Sequence, residues 1–220
     1  MNYKIIITGA TGMVGEGVLI ECLAHSQVSA VLSVSRKPTG MLHPKLKEYI
    51  VADFLSLKED DQNLKGYDAC FFCAGVSSIG MKEAEYSRIT YDTTIHFAKV
   101  CLQQNPQMTF IYVSGAGTDS SEKGRLMWAR VKGKTENDLI KMSFKKVYNF
   151  RPGLMKLTPG QKNALKMYKY FAWLYPILKL VLPNGTSTLK QVGQAMINSL
   201  IIGGDKHILE VKDINKLGNS

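Results

Sequence analysis

Three glycines, Gly9, Gly12 and Gly15, stand between the apolar run Ile5-Ile-Ile7 and a segment whose apolar residues Val14, Val18, Leu19, Cys22 and Leu23 recur at helical intervals. A strand, a glycine turn and a helix in that order form the first unit of a phosphate-binding βαβ motif. One glycine serves the tight turn, one the close approach of backbone to phosphate, and one the packing of helix on strand. The free N–H groups and positive end of the helix then face the pyrophosphate of a dinucleotide. Gly9, Thr11, Gly12, Met13, Val14 and Gly15 are the expected contacts.

The end of the second strand separates NAD from NADP. A carboxylate there binds the ribose 2′-hydroxyl, whereas an arginine accommodates a 2′-phosphate. The chain reads Val34-Ser35-Arg36-Lys37, without a carboxylate. Ser35, Arg36 and Lys37 therefore predict NADP(H), with NAD the weaker expectation, since a guanidinium pairs with phosphate and stacks on adenine. Asp53, after the third strand, is placed to accept from the adenine amino group, with Phe54 flanking the ring. A strand-end capping role for Asp53 is the alternative. Ala74, Gly75 and Val76, at the end of the fourth strand, are small where backbone must approach the adenosine ribose.

The elements that must position these residues follow from the pattern. Strands are expected at Lys4 to Thr8, Ala30 to Ser35, around Glu48 to Ala52, Asp68 to Cys73, Thr109 to Ser114 and Lys146 to Phe150. Helical periodicity follows the glycine turn, runs from about Glu83 to Gln104, and returns at 126 to 142. This alternation predicts a Rossmann-type α/β fold with a mostly parallel central sheet covered on both faces. One domain over residues 1–220 is expected, with a small substrate-side extension at about 154–204. A helix should start after Ser187-Thr188, and His207 to Val211 reads as a late strand.

Bulk properties narrow the function classes. The formal charge is +10, but the lysines and arginines are scattered, as on a solvated basic surface. No helix-turn-helix, zinc pattern or aromatic-basic strand points to nucleic acid. Cys70 and Cys73 have metal-like spacing, but they lie in the apolar run Ala69-Cys-Phe-Phe-Cys-Ala74 without accompanying histidines, so no metal is expected. Free thiols fit a reducing compartment, and the early start of the first strand leaves no room for a signal peptide; both point to the cytoplasm. The apolar stretch Tyr170 to Leu178 is too short to span a bilayer. Tyr168, Tyr170, Phe171, Trp173 and Tyr175 are candidate lining for a small-molecule substrate with an apolar part, or else core or partner surface. With Lys162, Lys166, Lys169 and Lys179, the same segment also suits an anionic membrane surface.

Taken in order, Thr8-Gly-x-x-Gly-x-x-Gly15, Ser35-Arg36, Asp53-Phe54, Cys73-Ala-Gly75, Tyr112-Val-Ser114, Lys132-Gly-Lys-x-Glu136 and Arg151-Pro-Gly153 resemble the short-chain dehydrogenase/reductase superfamily. The similarity is to its atypical branch of small NADP-binding proteins, with the nucleoside-diphosphate-sugar epimerase-like, NmrA-like and Tat-interacting reductase-like groups. The resemblance implies about seven parallel strands and an extended nicotinamide dinucleotide. It also implies a tyrosine and a lysine four residues apart, aided by a serine or threonine of the fifth strand. Lys132 matches that lysine, as a ribose-binding residue, and Ser114 the strand hydroxyl. Pro152, Gly153 and Leu154 should pass beside the nicotinamide, with Arg151 organising that turn or supporting the fold through an ion pair.

The tyrosine place is held by Trp128, whose indole N–H donates a hydrogen bond but is no acid near neutral pH. Tyr112 is expected in the sheet packing and Tyr91 mid-helix, neither well placed as a replacement. Two functions remain open: an NADP(H)-dependent oxidoreductase or sugar-nucleotide-epimerase-like protein using hydride transfer, or a non-catalytic NADP(H)-binding regulator or redox sensor. The family's habit of pairing helices leaves a homodimer or a protein partner open as well.

Overall fold

The structure, a computed structural model, describes residues 2–163, Tyr175, residues 180–182 and residues 185–220. Its centre is a seven-stranded sheet in the order β3-β2-β1-β4-β5-β6-β9. The strands are β1 (Tyr3–Thr8), β2 (Val28–Ser35), β3 (Leu46–Ile50), β4 (Ala69–Phe72), β5 (Thr109–Val113), β6 (Lys146–Arg151) and β9 (Ile208–Glu210). Every pairing is parallel. The order reverses between β1 and β4, which opens a crevice at their carboxyl ends, where ligands of such sheets bind.

Burial on both faces explains the apolar runs of the central strands. Alternation sends Ile5, Ile7, Phe71, Ile111 and Phe150 to one face, where they meet α1 (Met13–Ala24) and α5 (Leu189–Ile201). Ile6, Cys70, Phe72, Phe110 and Tyr112 go to the other, against α3 (Thr93–Gln104) and Leu139 of α4 (Met127–Ile140). Cys70 and Cys73 consequently leave the β4 segment toward opposite faces.

Several boundaries differ from the sequence reading, for identifiable reasons. The third strand is Leu46–Ile50 rather than a run to Ala52, because Asp53 caps a 3₁₀ turn over Phe54–Ser56. The expected helix from Glu83 to Gln104 is α2 (Glu83–Ser87) and α3, joined by a π-helical turn at Arg88–Asp92. Such turns are local insertions that helical periodicity does not reveal. Thr188 caps α5 with a reciprocal Gln191 capping box, as the Ser-Thr signal implied. Beyond β6, β7 (Leu154–Lys156) pairs in parallel with β8 (Thr186–Thr188) as a separate two-stranded sheet. A further helix, α6 (Val211–Gly218), follows β9. Of the aromatic segment, Tyr168, Tyr170, Phe171 and Trp173 lie outside the described residues, as do Lys166, Lys169 and Lys179. No described helix is long and apolar enough to cross a membrane.

Candidate dinucleotide site

The glycine turn connects β1 to α1 at the point of strand reversal. Gly9 has φ +70°, and a Cβ there would lie 2.7 Å from the backbone of Cys73 and Ala74. Only glycine fits both the conformation and the approach. A Cβ on Gly15 would collide with the Gly9 carbonyl, so this glycine sets the distance of α1 from β1. The turn is closed by Gly12 N–H donating to Gly9 O at 2.8 Å, and Thr8 Oγ1 accepts from Ala74 N–H at 3.2 Å. No side chain caps α1, which leaves its leading N–H groups for a ligand.

A cavity of about 490 Å³ opens over this turn. Gly9, Thr11, Gly12, Ser35, Arg36, Asp53, Phe54, Ala74, Gly75 and Val76 line it, joined by Arg88, Ile89 and Thr93. The last three had no sequence signal of their own, because the π-helical turn delivers Arg88 and Ile89, and the start of α3 delivers Thr93, from across the crevice. The cavity is suited to a dinucleotide at its adenosine and pyrophosphate end: an uncapped helix N-terminus, a glycine cradle that a Cβ would spoil, and arginines at the rim. Met13 and Val14 begin α1, with Gly15 behind them.

The expected contacts differ in how free they are. Ser35 Oγ donates to Lys37 O at 2.6 Å, and Lys37 is exposed outside the cavity lining. Asp53 accepts from Leu55 N–H at 3.0 Å as the cap of its turn while still lining the cavity. Phe54 is buried with its ring 5.2 Å from Phe97, and so serves the core as well as the crevice wall.

Beyond the cavity, β5, β6 and α4 assemble a second group of residues. Lys132 Nζ donates to Ser114 O. Burial pulls the Lys132 ammonium down to about 8, against an opposing pull from Glu136. Ser114 is itself buried, and its hydroxyl donates to Glu136 Oε1 at 2.5 Å. Glu136 is fully buried and also accepts from Arg151 Nε at 3.0 Å and Nη2 at 2.5 Å. Arg151 continues to Glu210 Oε1 at 3.0 Å and Ser120 Oγ at 2.6 Å, which makes it the ion-pairing support of its corner. Pro152 O accepts from Ala116 N–H at 2.9 Å, Gly153 packs against Gly185, and Leu154 begins β7.

Trp128 lies one helical turn before Lys132 and borders Gly117. Tyr112 and Tyr91 lie off this helix. Tyr112 is buried in the core, and burial holds its phenol strongly neutral. Tyr91 donates to Asp138 Oδ2 at 2.8 Å, with its phenol pushed up to about 12 by burial and by that carboxylate.

With this geometry in place, comparison with known proteins identifies the family. The NAD dependent epimerase/dehydratase family matches residues 5–123, more than half of the chain. The chain belongs to the NAD dependent epimerase/dehydratase family. Protein HTATIP2 of Rattus norvegicus is similar to it, 24% identical over 233 residues that cover 99% of this chain and 90% of that one. The mitochondrial protein FMP52 of Debaryomyces hansenii is 28% identical over 151 residues, covering 68% of this chain and 65% of its own. Among solved structures, UDP-N-acetylglucosamine 4-epimerase from Methanobrevibacter ruminantium M1 shares the fold with a TM-score of 0.68 at 16% identity. It covers 99% of this chain and 80% of that one. MoeE5, in complex with UDP-glucose and NAD, gives 0.66 at 16% identity over 98% of this chain and 80% of its own.

Two expectations are corrected. The preference for NADP(H) is overturned by structures of the same fold determined with NAD: MoeE5, Bordetella bronchiseptica WbmF and the Bacillus cereus UDP-glucuronic acid 4-epimerase. Physically, the expected Ser35-Arg36-Lys37 cradle for a 2′-phosphate is not assembled, because the serine hydroxyl serves Lys37 O and Lys37 stands outside the lining. The cytoplasmic expectation is overturned by family relatives that are mitochondrial proteins, in Debaryomyces hansenii, Aspergillus terreus and Emericella nidulans. Thiols were a poor guide to compartment: Cys22, Cys70 and Cys101 are buried, so burial alone keeps them from pairing.

Proposed function

We propose that this protein binds NAD(H) in the crevice between β1 and β4 and acts as an oxidoreductase or epimerase-like enzyme on a small carbonyl or sugar-nucleotide substrate. The observation that carries this reading is the cavity that joins the glycine turn to Arg36 and Asp53 on one side and to Ala74–Val76 on the other. In this reading the N-terminus of α1 holds the pyrophosphate, Asp53 and Arg36 bracket the adenosine, and Gly75 lets backbone approach its ribose. Lys132 donates to the nicotinamide ribose, while Ser114 and the Pro152-Gly153-Leu154 turn bound the nicotinamide. The cofactor, when bound, supplies or takes a hydride at C4 of its nicotinamide.

The proton is the open requirement, because Trp128 occupies the family's tyrosine position. Lys132, one turn away, is the proton-bearing side chain that shares its face of α4. Trp128 also favours a second reading, an NAD(H)-binding protein that senses or regulates without turnover. Calorimetry with NAD⁺ and NADH tests the common ground: saturable binding is expected, and no binding to either overturns both readings. A screen of NADH oxidation with aldehydes, ketones and sugar nucleotides then separates them. Turnover in the natural chain supports the enzyme, whereas turnover appearing only in Trp128→Tyr supports the binding protein.

A further inference from the structure

Glu136 is the most deeply placed charge in the described structure, and the reading above gives it no role. It has no exposed surface, sits one helical turn after Lys132, and accepts three hydrogen bonds from two different strands. Through Ser114 it grips the end of β5, and through Arg151 the end of β6; Arg151 extends the hold to β9 at Glu210 and to the loop at Ser120. Ser114 is thus held from both sides, its hydroxyl by Glu136 and its carbonyl by Lys132.

We propose that Glu136 is a positioning residue for Lys132, fixing the carbonyl to which the lysine donates and supplying the negative charge that keeps its ammonium form at the crevice edge. The proposal rests on the assigned ribose-binding role of Lys132. The charged and titratable groups around Glu136 are Lys132 on its own helix, Tyr112 from β5, Arg151 from β6 and, through Arg151, Glu210 from β9. Burial acts on Lys132 in one direction and Glu136 in the other, so loss of the carboxylate and loss of packing move the lysine oppositely.

That opposition supplies the test. Lysines are reductively ¹³C-methylated in the full chain, and the Lys132 signal, assigned by its loss in Lys132→Met, is titrated by NMR. In Glu136→Gln the Lys132 pKa should fall further, by about one unit, or roughly tenfold in the ratio of neutral to charged lysine at pH 7. A purely structural role would instead loosen the corner, admit water and raise the pKa toward its ordinary value; a rise or no shift overturns the proposal. Glu136→Asp is a second, less disruptive variant that keeps the test open if Glu136→Gln does not fold. It keeps the carboxylate but draws it back by one methylene, so the Lys132 pKa should fall by a fraction of a unit; a rise or no shift overturns the proposal. The titration needs no cofactor, so NAD calorimetry on the natural chain judges the dinucleotide reading separately.

Discussion

Replacing Gly9 by alanine should damage both stability and dinucleotide binding, and a second glycine separates the causes. Gly9 and Gly40 share a φ of +70°, but a Cβ at Gly9 meets the backbone of Cys73 and Ala74 at 2.7 Å, whereas one at Gly40 meets nothing within 4 Å. The left-handed conformation alone costs a non-glycine residue roughly 1–2 kcal/mol, which is the whole expected cost of Gly40→Ala. Overpacking against a neighbouring backbone adds about 1–3 kcal/mol, so Gly9→Ala should lose roughly 2–5 kcal/mol. For a chain of this length each kcal/mol corresponds to about 2–4 °C in Tm. Thermal and urea denaturation of both variants measure the difference directly. Gly9→Ala should also weaken NAD binding by more than tenfold in calorimetry, because the displaced backbone carries Ala74 and the turn itself, while Gly40→Ala should bind normally. Equal destabilisation of the two variants refutes the close-approach argument, and normal NAD binding by Gly9→Ala refutes the placement of the pyrophosphate on this turn.

Arg151→Met leaves Glu136 buried without its cation and should cost about 3–5 kcal/mol in chemical denaturation, more than an exposed pair such as Lys206–Asp213 is worth. Lys132 should shape the alkaline stability profile: its pKa of about 8 lies below the ordinary 10.5, so between these values the unfolded chain binds more protons than the folded one. Unfolding free energy attributable to this group therefore rises with pH across that window, and the natural chain minus Lys132→Met should show the slope when urea curves are recorded from pH 7 to 10. Thr188→Ala removes the cap and capping box of α5 and should cost about 0.5–2 kcal/mol by the same assay, with Thr188→Ser restoring most of it.

Local signals made much of the fold legible. The apolar runs of β1, β4 and β5 needed no alternation because helices cover both faces, and Thr188 announced α5 through its side chain. The crevice was legible wherever backbone demanded a residue type, as at Gly9 and Gly15. It was not legible where a side chain arrives by tertiary packing, as with Arg88 and Ile89 on the π-helical turn. The helix α6 was missed although Val211, Ile214 and Leu217 recur at helical spacing and Asp213 closes a box with Glu210. The arginine at the end of β2 misled for a physical reason: sequence shows which groups are near one another along the chain, but the Ser35 hydroxyl is committed to Lys37 O and the Lys37 side chain stands outside the cavity lining. Glu136 was visible as part of a motif, yet its complete burial and its tie to Arg151 depend on strands far apart in the chain.

The packing of α1 against α5 carries a consequence for how the chain is made. Val18, Leu19 and Cys22 share a cluster with Leu189, Val192 and Met196, Glu16 accepts from the backbone of Lys162 and Asn163, and Glu21 accepts from Gln194. The glycine turn leaves the ribosome well before α5, so the flank of α1 that packs on α5 has no cover until about residue 200 has followed. The nascent βαβ unit therefore travels with an apolar flank exposed, a natural client for holding chaperones, and late pairings of this kind fold slowly. Truncations that spare every crevice residue but remove α5 should therefore yield protein that aggregates rather than a minimal cofactor-binding module.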